Sequence, residues 1–168
     1  AISIIGTLNA LVAKEPDNLR FTVGRFDVSP NTPNSVAESV SFSVDIRHPD
    51  ATVISNLGDT VLELCSLQIG GCDVKVTEKF SCPPNLFSSA IVQAVDEAAV
   101  KLGASHMNIT SGAFHDALFM TEICPTGMIF VPCEGGVSHN PQENAKPEDL
   151  AVGTKVLLAS LVAVDKLV

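Results

Sequence analysis

The stretch Val40-Ser-Phe-Ser-Val-Asp-Ile-Arg-His-Pro-Asp50 sets the reading of the chain. From Val40 to Ile46 apolar and polar residues alternate strictly, the pattern of a strand with one face covered and the other in water. His48-Pro49 breaks the pattern, and Asp50 is placed to cap a following helix. That helix is expected over about residues 51–67, with Val53, Leu57, Val61 and Leu64 on one face and Gly70-Gly71 as its stop. Upstream, residues 21–28 read as a second strand, joined to the first through the turn-rich Ser29-Pro-Asn-Thr-Pro-Asn34. Ile2, Ile5, Leu8 and Val12 mark an amphipathic helix that Pro16-Asp17-Asn18 should end. Residues 72–80, alternating through Val74 and Val76, are expected to form a further strand. Helix, strand, strand, helix, strand fits an α+β layer with two helices on one sheet face. One more strand at the front would make it the split βαβ of a ferredoxin-like module.

Ser81-Cys-Pro-Pro-Asn85 is the candidate domain boundary. Beyond it, Ser88 or Ser89 caps a helix to about residue 102, with Ile91, Val95, Ala98 and Leu102 on one face and Gly103 as the stop. Met128-Ile-Phe-Val131 is a continuous apolar run, expected as a strand buried on both faces. A last helix opens at Pro147 and should bury Val156, Leu157, Leu161 and Val164. The fold class is therefore α/β: an α+β module over 1–80, then an α/β segment over 81–168.

Composition narrows the function classes. Of 168 residues 46% are hydrophobic, yet Trp and Tyr are absent, so the core rests mainly on aliphatic side chains. A net charge of −9 argues against nucleic acid or an anionic membrane as partner. No apolar stretch reaches the ~18 residues a membrane span needs, and no basic leader opens the chain, so a soluble, cytoplasmic protein is expected. Five scattered cysteines lack any C-x-x-C pair and read as reduced, mostly buried thiols. The chain begins without Met, inside an apolar periodic segment, which hints at a lost natural N-terminus.

The candidate chemistry lies in loops. His115 sits in Ser111-Gly-Ala-Phe-His-Asp116 and His139 in Gly135-Gly-Val-Ser-His-Asn-Pro141, each beside an expected strand end. Small neighbours let a substrate or metal approach the backbone there. Either histidine alone also reads as a hydrogen-bonded surface residue. Arg47 ends its strand, and its guanidinium could grip a carboxylate in a two-pronged contact, with the Asn34 amide as a further donor. The plainer reading is a solvent-facing Arg and a turn Asn. Asp45 and Asp116 are not spaced as a carboxylate dyad, and Cys133 has no general base nearby in sequence.

Taken together and in order, Ser41-Phe-Ser-Val-Asp-Ile-Arg-His-Pro-Asp50, Ser111-Gly-Ala-Phe-His-Asp-Ala117, Met128-Ile-Phe-Val-Pro132 and Gly135-Gly-Val-Ser-His-Asn-Pro141 resemble the M20 metallopeptidase superfamily. The match is best to its amidase branch: N-carbamoyl-L-amino acid hydrolase, β-ureidopropionase and allantoate amidohydrolase. The resemblance implies that 1–80 is an incomplete, ferredoxin-like lid that also makes a homodimer. It implies that 81–168 is the C-terminal segment of a metal-dependent catalytic domain. His139 matches the last ligand of a divalent metal pair (zinc, manganese or cobalt), and His115 a catalytic, substrate-facing histidine. Asn34 and Arg47 match a lid pair that binds the carboxylate of a small substrate across the dimer. Phe114 stands where many members have Gly and would narrow the approach to the substrate; Ala37-Glu38 departs from a frequent Pro-Gly. The implied reaction is metal-assisted hydrolysis of a non-peptide C–N bond. The family's other metal ligands and its general base match nothing in these residues, so the isolated chain is expected to be inactive, to hold metal weakly or not at all, and to self-associate. Two alternatives stand beside this: a non-catalytic dimerisation or interaction piece, and an aminoacylase or dipeptidase of the same superfamily.

Overall fold

A computed structural model describes residues 1–14, 18–66 and 70–165. Its sheet is one antiparallel hairpin, β1 (Arg20–Ser29) with β2 (Ser39–Arg47), in register from Arg20 opposite Arg47 to Ser29 opposite Ser39. On β2 the half-covered residues are Phe42, Val44 and Ile46, as the alternation requires. On β1 they are Phe21, Val23 and Val28, so the parity changes between residues 23 and 28. The cause is a bulge between Thr22 and Arg25, where β1 carries one residue more than β2. It turns Phe26 to face Phe42, and the rings stack at 6.1 Å. Thus a single extra residue keeps the apolar side chains of β1 on one face.

Helix α1 (Ile2–Val12) touches α2 (Ala51–Ser66), and Ile4, Leu8 and Leu57 are the buried side chains of this part. Ile2, expected inside, is exposed; Ile4 takes the inward position one helical turn before Leu8. Asp50 caps α2 as expected, its Oδ1 accepting the Thr52 N–H at 2.8 Å, while His48 Nδ1 accepts the Asp50 N–H at 2.9 Å. The Pro16-Asp17 stop and residue 67 fall outside the described residues. Residues 72–80 do not form the expected strand: a single bridge occurs at Cys72, and 73–80 carry no ladder. Alternation alone is insufficient, because a strand also needs a neighbour for its backbone groups.

The chain divides into two compact units, Ala1–Asn85 and Leu86–Val168. In the second, α3 (Ser89–Lys101) packs on α5 (Pro147–Asp165), with a short α4 (Ala117–Met120) between them in sequence. Ala98, Ala99 and Val156 form the core, with Val95, Ala104, Ile129 and Ala159 packed around them. Small residues let the helices approach closely, and the buried Ser160 hydroxyl is satisfied by the Val156 carbonyl at 2.7 Å.

Residues 126–131 run against both helices, and here the expectation of a doubly buried strand fails. Gly127 lies on Ile91, Ile129 enters the core, and Gly153 of α5 lies on Val131. Alternate residues therefore face the helices, but no strand pairs with the segment among the described residues, and Phe130 is exposed. The last helix also departs from expectation. Val156 is buried and Val164 half-buried, but Leu157 and Leu161 are 50% and 59% exposed. A helix apolar all round needs cover on more than one face, and within this unit α3 and the 126–131 segment supply only one. The five thiols are free, in keeping with reduced cysteines, but they are not mostly buried: Cys72, Cys82 and Cys124 are exposed and Cys65 and Cys133 half-buried. No helix among the described residues is long and apolar enough to cross a membrane.

Candidate functional site

Arg47 ends β2 on the sheet face that carries Ser41, Ser43 and Asp45. Residues two apart on a strand share a face, and Asp45 uses this to grip Arg47. Its carboxylate accepts from Nε at 2.7 Å and from Nη2 at 2.9 Å, a two-pronged pair about half in solvent. The Arg47 hydrogen bond holds the Asp45 carboxyl below the usual aspartate value, against a smaller opposing effect of burial. The same pair raises Arg47. Arg25 and Asp27 form the matching two-apart pair on β1. Asn34 is exposed in the connector beyond the Ser29–Ser39 pair, whereas Arg47 lies opposite Arg20. Eight residue steps of β2, roughly 26 Å of strand, separate Ser39 from Arg47, so Asn34 and Arg47 belong to opposite ends of the hairpin.

The second unit carries the two histidines. His115 is half-buried between a hydroxyl and a ring. Its Nε2 lies 2.6 Å from Ser111 Oγ, and the Phe130 ring lies 5.6 Å away, centroid to centroid, tilted by 57°. The His115 carbonyl accepts the Leu118 N–H at 3.0 Å, which starts the α4 turn and fixes the backbone under the ring. Phe114, 45% exposed, meets Phe119 edge-on at 5.6 Å.

His139 is exposed and adopts φ of +56°, a backbone region few non-glycine residues enter. Glu143 holds it there, accepting the His139 N–H on Oε2 at 2.9 Å. The Glu143 N–H in turn donates to the Asn140 carbonyl at 2.9 Å, closing the loop. No hydrogen bond or ring contact joins His115 to His139 among the described residues. No group of three or more His, Cys, Asp or Glu among them is placed to hold a metal ion. The residues present therefore do not fit a metal centre by themselves, since catalytic sites draw about three protein ligands per metal.

Three residues act as partners that the sequence patterns do not assign: Asp45, Ser111 and Glu143. Each had a signal in spacing. Asp45 stands two before Arg47 on a strand, Ser111 four before His115, and Glu143 four after His139. The use of Asp45 is as the partner of Arg47, not as half of a carboxylate dyad.

Comparison with known proteins places these residues in a wider frame. The model of peptidase family M20/M25/M40 matches residues 7–163. An N-carbamoyl-L-amino-acid amidohydrolase of Rhizobium meliloti is 37% identical over 150 residues, covering 87% of this chain and 36% of the relative. A ureidoglycolate hydrolase of Arabidopsis thaliana is 35% identical over 145 residues, covering 83% of this chain and 30% of the relative. Among solved structures, an amidase of the hydantoinase/carbamoylase family from Burkholderia vietnamiensis superposes with a TM-score of 0.84 at 37% identity, over 96% of this chain and 40% of that one. The chain thus spans between 30% and 41% of the length of the curated relatives it matches.

Proposed function

Because the chain belongs to peptidase family M20/M25/M40, we propose that it works as part of a metal-dependent amidohydrolase acting on linear non-peptide C–N bonds. The substrate class is N-carbamoyl amino acids, ureido acids or allantoate-type compounds. The observation that carries this reading is the 37% identity, over 87% of the chain, to a carbamoyl amino acid amidohydrolase. The names of the relatives favour it over an aminoacylase or dipeptidase.

Residues 1–80 are the lid and dimerisation module, a ferredoxin-like sheet once further strands join the hairpin. Residues 81–168 are the C-terminal segment of the catalytic domain. Arg47 binds the substrate carboxylate; Asn34, the second donor, stands at the other end of the hairpin and would have to reach the same group from a second copy of the lid. His115 faces the scissile group, and Phe114 beside it limits the width of what can approach. His139 contributes one imidazole to a centre of zinc, manganese or cobalt whose other ligands come from outside these residues. The chain alone is inactive.

The test replaces the matching segment of the Rhizobium meliloti relative with this chain. The chimera is expected to release ammonia from N-carbamoyl amino acids with manganese present, and His139→Ala should abolish this. Arg47→Leu should raise KM roughly 10- to 100-fold for carboxylate-bearing substrates, the worth of one charge-assisted contact. A folded chimera inert toward carbamoyl, ureido and allantoate substrates would sink the reading. Turnover by the 168-residue chain alone would overturn its inactivity.

A further inference from the structure

Ser111 Oγ lies at the meeting point of two polar groups. It accepts the Ala113 N–H at 3.2 Å and lies 2.6 Å from His115 Nε2. A hydroxyl has one hydrogen to give and two lone pairs to receive. With Ala113 on one lone pair, two arrangements remain. If Nε2 carried a proton, the oxygen would accept from both sides and its own hydrogen would need a third partner. No acceptor is placed for it among the described residues, so that hydrogen would turn to solvent from a half-buried oxygen, the less favourable arrangement. If Nε2 is bare, the hydroxyl donates to it and every group is used. In a neutral imidazole the nitrogen that accepts determines that the other one carries the proton.

We infer that Ser111 is a positioning residue that fixes neutral His115 as the Nδ1–H tautomer, so that the ring presents a hydrogen-bond donor. Phe130 against the ring restricts the rotation that would exchange the two nitrogens, and the Leu118 N–H on the His115 carbonyl fixes the backbone beneath it. A ring held this way can take a proton on Nε2 only if the serine bond reverses, with Oγ accepting and its own hydrogen turned elsewhere. Its chemistry is to donate from Nδ1 to an oxygen, such as a carbonyl gaining negative charge under attack. This deepens the reading of His115 as substrate-facing and rests on it, but the tautomer itself can be measured without any reaction.

The experiment is a long-range 1H–15N spectrum of the histidine rings in the 168-residue chain, at about pH 9 where imidazoles are neutral. His115 is expected with a protonated Nδ1 and a bare Nε2. Ser111→Ala should shift it toward the Nε2–H form, and Ser111→Thr, which keeps the hydroxyl, should keep the Nδ1–H form. A protonated Nε2 in the unsubstituted chain overturns the inference, as does an alanine variant with an unchanged spectrum. Should the alanine variant fail to fold, the unsubstituted spectrum and the threonine variant still decide. In the chimeric enzyme, Ser111→Ala is expected to lower kcat about 10-fold or more with KM little changed. A lost tautomer with unchanged kcat leaves Ser111 in control of the ring and removes His115 from the reaction.

Discussion

Residues 40–46 and 128–131 are both apolar enough to read as strands, and only the first is one. Along β2, every second side chain is covered and the backbone is paired with β1. Along 126–131, alternate side chains likewise pack on α3 and α5, but no ladder follows among the described residues. The difference separates two properties that sequence patterns merge. Side-chain alternation reports what lies above and below a segment; hydrogen-bond pairing depends on what lies beside it.

Amide hydrogen exchange should expose this difference most strongly. Ladder amides of β1 and β2 are expected to exchange roughly 100-fold more slowly than those of 128–131, since paired groups open only with the hairpin. Equal protection would mean that the second segment has found a partner, and the comparison would collapse. A smaller effect comes from the side-chain contacts of 126–131. A Cβ on Gly127 would meet Ile91 Cγ2 at 2.6 Å, and β-branched Ile91 has little rotamer freedom. Gly127→Ala should cost about 1–3 kcal/mol by overpacking, read as a lower midpoint in urea. An unchanged midpoint would show that the segment is loosely held.

The smallest effect concerns the polar face of the hairpin. Asp45 is held below its ordinary value chiefly by the hydrogen bond from Arg47. Its contribution is therefore present above about pH 4 and is lost as pH falls through the lowered value. The pair is about half in solvent, so Asp45→Asn should cost under ~1 kcal/mol at neutral pH. The two proteins should converge in acid; a difference that persists there would assign the effect to something other than charge.

Much of the local structure was legible before any coordinates. Asp50 caps α2, and Gly103, at φ of +64°, ends α3 where expected. The bulge in β1 was also visible in retrospect, because Phe21 and Val23 are odd-numbered while Phe26 and Val28 are even. The site was legible only as types of residue. His115 and Arg47 stood out because the chain holds only four histidines and three arginines. Their partners Ser111 and Asp45 did not, because hydroxyls and carboxylates are common on any surface, and only geometry distinguishes one that grips a neighbour.

The sequence by itself determined where α2, α3 and α5 start, where α3 stops and which face of β2 is polar. It also placed this chain beside a family through four ordered motifs. These depend on interactions within a few residues, where spacing and geometry are nearly the same thing. Only the tertiary structure decided that Arg47 already holds Asp45, that His115 is clamped by Ser111 and Phe130, and that 128–131 lies on helices without a ladder. Those outcomes turn on contacts between segments, or on the choice of one rotamer among several, and alternation in a single stretch carries no information about either.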